Sequence, residues 1–124
     1  MSEFWPTEIK VSKDRSLLNI RFDDGAGYAL SAEMLRVLSP SAEVKGHGPG
    51  QEVTVPGKRN VMIISVQPTG NYAVRIGFDD FHDSGIYTWS YLRELGERGE
   101  TLFAAYEAKL AEKGMSRDVS EKPR

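Results

Sequence analysis

Between positions 61 and 78 the chain reads VMIISVQPTGNYAVRIGF, two β-rich runs around the turn signal PTGN. No other stretch constrains the fold as much. The first run is almost continuously apolar and predicts a central strand. The second alternates, placing Tyr72, Val74, Ile76 and Phe78 on one face and Ala73, Arg75 and Gly77 on the other. That period of two is the signature of a half-buried strand. The pair reads as an antiparallel hairpin that needs a hydrophobic layer to cover it.

A similar pattern opens the chain. Ile9 and Val11 share a face, as do Leu18, Ile20 and Phe22, and Tyr28 and Leu30 alternate after the turn signal DDGAG. Ser31 is a candidate N-cap for a short helix carrying Met34, Leu35 and Leu38, which Pro40 ends. Further on, GIYTW has the β-branched and aromatic content of a strand, and Thr88 or Ser90 can cap the next helix. Trp89, Leu92 and Leu95 are expected to face the core, with Gly96 and Gly99 interrupting that helix. A last helix carries the stripe Leu102, Phe103, Tyr106 and Leu110 and stops at Gly114. The expected fold is α+β, an antiparallel sheet of about five or six strands packed with two or three helices. Positions 1–114 are expected to form one domain and 115–124 a disordered tail.

The span 39–60 is rich in Gly, Pro and Ser and lacks a clear period. It reads equally as a functional loop or as a surface loop holding a short strand at Val53–Val55. GHGPGQ could present converging N–H groups to an anion, but it has no GK[ST] ending and is not a nucleotide loop.

Composition narrows the function. The 124 residues carry a net charge of −2 and no cysteine. Thiolate chemistry, disulfides and cysteine-held zinc or iron–sulfur centres are excluded. Nucleic-acid binding is not expected from this charge, nor is membrane insertion, because no run approaches the ~18 apolar residues of a spanning helix. The opening MSEFWPTEIK is acidic without an apolar centre, so no signal peptide is expected and the location is read as cytoplasmic.

The two histidines are the obvious candidates for chemistry. His47 lies in KGHGPG, and His82 in DDFHDSG beside Asp80 and Asp83. Together they form the inventory of a weak metal site. The plainer reading has His82 bonded to turn backbone while Asp79, Asp80 and Asp83 cap the turns. Ser84 beside His82 has no Gly-x-Ser-x-Gly context and does not suggest a hydrolase.

The stretches LRVLSPSAEVKGHGPGQ and TGNYAVRIGFDDFHDSGIYTWSYLREL, with the hairpin at Asp24-Gly25, resemble domain of unknown function 971, a bacterial family. That family is similar to the N-terminal domain of gamma-butyrobetaine hydroxylase. The resemblance implies a small β-rich accessory module found beside an oxygenase or on iron–sulfur carrier ATPases, with no catalysis of its own. It also implies a structural zinc held by cysteines and a histidine in the hydroxylases. Here the cysteine places read Ser39 and Ser41, His82 resembles the histidine ligand, and the zinc is expected to be lost. Where the family tends to carry glycine, this chain has Phe81. The leading expectation is therefore a non-enzymatic module contacting an unknown protein partner through Lys45, His47, Gln51 and Phe81, with no cofactor. The alternative is a metal-binding or iron–sulfur-related domain using His47, His82, Asp80 and Asp83.

Overall fold

The computed structural model describes residues 4–45 and 53–118. Instead of one sheet of five or six strands, it has two antiparallel three-stranded sheets. The first runs β1 (Pro6–Val11), β2 (Leu17–Phe22) and β3 (Gly27–Ser31); the second runs β4 (Ile63–Thr69), β5 (Ala73–Phe78) and β6 (Gly85–Thr88). The central strand of the second sheet is β5 rather than β4, although the run 61–67 that holds the start of β4 is almost continuously apolar. Pro68, which cannot donate to a ladder, lies on β4 at the edge. β4 also shifts register between Ile63 and Ser65, and Met62 and Ile64 stay exposed. Tyr72, expected beside Val74, instead sits in the connection after Gly70 and is exposed.

Among the described residues there are three helices, α1 (Ala32–Val37), α2 (Ala42–Lys45) and α3 (Trp89–Glu112). The Ser31 hydroxyl accepts the Met34 N–H at 3.0 Å and the Thr88 hydroxyl accepts the Tyr91 N–H at 3.1 Å, so both expected caps form. Gly96 and Gly99 do not break α3. A Cβ on Gly96 would lie 2.5 Å from Tyr28 Cγ, and one on Gly99 would lie 3.2 Å from Met34 Sδ. These glycines are where β3 and α1 press against the helix, and packing outweighs their poor propensity. No strand forms at Val53–Val55, where the chain is irregular, and the single turn α2 was not expected.

Both sheets share one core. Leu18, Ile20 and Phe22 meet Leu30, Leu35, Ile63, Ile76, Phe78, Tyr87, Leu92 and Leu95 in a single buried cluster. Trp89 is only half-buried at the edge of this core, its indole N–H donating to Asn71 O at 3.0 Å. The Ile63 N–H donates to Arg15 O at 2.9 Å, tying the first hairpin to the start of the second. A smaller cluster, Val37, Tyr106 and Leu110, lies toward the end of α3. The chain keeps making contacts into the expected tail. Arg117 Nε and Nη2 each donate to the buried Glu33 carboxylate at 2.7 Å, and Gly57 N–H donates to Ser116 O at 2.9 Å. Positions 119–124 lie outside the described residues. No helix among the described residues is long and apolar enough to cross a membrane.

Candidate functional site

The stretch DDFHDS forms the connection between β5 and β6. Phe78 N–H donates to His82 O at 3.0 Å and Phe81 N–H donates to Phe78 O at 3.0 Å. Asp80 Oδ1 accepts the His82 N–H at 3.1 Å. The turn after β2 has the same bonding. Phe22 N–H donates to Ala26 O at 2.8 Å, Gly25 N–H donates to Phe22 O at 3.0 Å, and Asp24 Oδ1 accepts the Ala26 N–H at 3.2 Å. Phe-Asp-Asp-Gly and Phe-Asp-Asp-Phe thus build one turn twice. Its third loop residue must be left-handed: φ is +92° at Gly25 and +71° at Phe81. Glycine adopts this conformation freely, whereas a bulky side chain there is an outlier. Phe81 also gains little from the fold, since 88% of it is exposed.

Asp80 is the electrostatic centre of this corner. Its Oδ2 accepts Arg36 Nε at 2.7 Å and Lys58 Nζ at 2.6 Å. Burial works to raise its pKa, but the hydrogen bonds from Lys58, Arg36 and the His82 N–H outweigh it and hold the carboxyl at about 2. Asp79 ties the turn to β4, its Oδ1 accepting the Met62 N–H at 3.0 Å while its own N–H donates to Met62 O at 2.9 Å. Asp83 is exposed.

His82 is buried behind the turn, with Nε2 3.0 Å from the Oγ of fully buried Ser39. Ser39 Oγ also accepts the Ser41 N–H at 3.2 Å, and Ser41 Oγ lies 2.9 Å from Ser84 Oγ. A Cβ on Gly85 would fall 2.5 Å from Ser39 Oγ, so glycine is what lets β6 approach this serine. Tyr87, buried just beyond, donates its hydroxyl to Leu35 O, and burial pushes its pKa above the ordinary phenol value.

Ser39, which the family resemblance set at a cysteine place, does lie against His82, but neither it nor Ser41 suits zinc. Neutral hydroxyls are poor zinc ligands, and Asp80 is committed to two cations. Among the described residues no three His, Asp or Glu side chains are placed to hold a metal. Lys45 ends α2, its ammonium 4.9 Å from the centre of the Tyr91 ring. His47 and Gln51 lie outside the described residues. The roles of Arg36 and Lys58 were missed, because a carboxylate's cations can come from anywhere in the chain. The twin turn was legible in the repeated Phe-Asp-Asp but was not read.

Comparison with known proteins gives one family. Residues 9–93 match the family described as gamma-butyrobetaine hydroxylase-like, N-terminal. Among solved structures, an NMR solution structure is 46% identical, with a TM-score of 0.82 over 98% of this chain and 95% of that one. Another NMR structure is 41% identical, with a TM-score of 0.80 over 99% and 95%. A crystal structure from Acidithiobacillus ferrooxidans, of a protein with unknown function in the domain of unknown function 971 family, is 36% identical. Its TM-score is 0.61 over 73% of this chain and 91% of that one. None of the curated proteins matches.

Proposed function

As the chain belongs to the gamma-butyrobetaine hydroxylase-like N-terminal domain family, we propose that it is a non-catalytic accessory module that docks on a partner protein through the Phe81 corner. Phe81 carries the proposal. It holds a left-handed backbone where the twin turn uses Gly25, and its ring lies almost wholly in water. Such strain gains nothing for the isolated domain, whereas docking would bury the ring, a gain of roughly 1.5–3 kcal/mol. Met62, whose backbone is bonded to the same turn through Asp79, is also exposed. The family resemblance directs the search for the partner to oxygenases and iron–sulfur carriers. Lys45 is a second candidate contact, its ammonium over the Tyr91 ring.

The test is a pull-down with the wild-type domain and Phe81→Gly in parallel. A partner held by the first and lost by the second is expected. Equal recovery by both, or recovery by neither, overturns the proposal. The metal-binding alternative gains no support from the site, since Asp80 and His82 already have partners within the fold. Chelator should leave the melting temperature unchanged, and stoichiometric metal in the purified protein would revive that reading.

A further inference from the structure

A crevice of about 360 Å³ opens between α3 and the chain around α2. One wall is a stripe of α3, Leu102, Ala105, Tyr106 and Lys109, at the spacing that puts residues on one helix face. Val44 and Val53 form part of the facing wall, and Val53 is half exposed. Tyr91 and Tyr106 also line it. Each hydroxyl donates to a backbone carbonyl, of Leu38 and Val55 respectively, so both rings are fixed in place. Burial pushes both phenols up to about 12, so they stay neutral.

Charge at this crevice has one sign. Lys45 and Lys109 line it, and no carboxylate does among the described residues. Neither lysine has an ion pair among the described residues, although the chain as a whole has a net charge of −2. An apolar slot of this size with a few convergent polar groups has the make-up of a small-molecule site. Two cations beside an apolar wall suit a ligand with an apolar body and an anionic end.

We propose that the crevice between α2 and α3 binds a small amphiphilic carboxylate, its hydrocarbon against Leu102, Ala105 and Val53 and its carboxylate between Lys45 and Lys109. This inference does not rest on the partner reading, because it uses neither Phe81 nor its turn.

The probe is octanoate below its micelle concentration, titrated into the full-length protein and followed by amide NMR. Octanol and octylammonium, of the same chain length, serve as controls. Saturable shifts centred on Tyr91, Leu102 and Ala105 are expected with octanoate, with several-fold weaker binding of both controls. Lys45→Gln and Lys109→Gln should each weaken octanoate several-fold and leave octanol unaffected. Ala105→Trp, at an exposed helical position, should keep the folded spectrum and abolish the shifts. If octanoate gives no saturable shift, if its shifts map elsewhere, or if octylammonium binds as well, the proposal is overturned.

Discussion

Phe81 and Asp80 are neighbours with opposite energetic roles. Phe81 occupies the left-handed position that its twin fills with glycine, at a cost of about 1 kcal/mol. Phe81→Gly should therefore raise unfolding stability by about 1 kcal/mol in a urea melt, while Gly25→Phe should lower it by a similar amount. A loss on Phe81→Gly would mean that the ring supports the fold after all. Asp80 stabilises. Its carboxyl sits at about 2 in the fold, below an unfolded value near 3.9. Its contribution is thus complete above pH ~4 and is lost as pH falls through about 2. With part of the side chain open to solvent, the contribution is about 1 kcal/mol. Asp80→Asn should remove the steepest part of acid destabilisation between pH ~4 and ~2 and lower stability at neutral pH. Superimposable acid melts of variant and wild type would contradict this. The sequence named both residues as candidates and read Asp80 first as a turn cap, which its bond from the His82 N–H fits, and second as a weak metal ligand. What it lacked was Arg36 and Lys58, which reach this carboxylate from a helix and from the end of a loop.

Helix α3 tests how far intrinsic propensity can be trusted. Its two glycines predict a break, and in isolation each would cost about 1 kcal/mol relative to alanine. The helix nevertheless runs unbroken from Trp89 to Glu112, because Tyr28 and Met34 fill the space a side chain would need. Gly96→Ala should therefore destabilise, by about 1–3 kcal/mol, despite improving helix propensity. A gain in melting temperature would show that the Tyr28 ring yields easily. The strands were legible from their period of two, and the caps from Ser31 and Thr88, because both signals are local. The place of β4 in the sheet was not. Apolar content suggested a central strand, but Pro68 and the shift in register fit an edge. The division into two sheets was equally hidden, since strand periodicity says nothing about which strands pair.

At the scale of the whole molecule, the last described residues belong to the fold. Arg117 neutralises Glu33, which is only 6% exposed on α1, and Ser116 and Arg117 accept backbone hydrogen bonds from Gly57 and Arg59. Ending the chain at Gly114 should lower stability by about 1–3 kcal/mol, because a buried carboxylate loses its bidentate partner. Arg117→Ala should reproduce most of that loss, and if both variants melt with wild type the strap is decorative. A polar C-terminal sequence gives no hint of this, since the partner lies 84 positions away. Asp80 has a comparable reach. It grips the chain where it leaves α1, at Arg36, and again where it returns, at Lys58. Val53 N–H donates to Val44 O at 2.7 Å and closes the excursion a second time. In polymer terms Asp80 closes one ring, from Arg36 to Lys58, and the Val53–Val44 bond closes a smaller one inside it. Ring entropy grows only logarithmically, so doubling such a segment costs only about 0.6 kcal/mol. Both sheets are thus held by closures at Asp80 and at Val44 that depend only weakly on the length of chain between them.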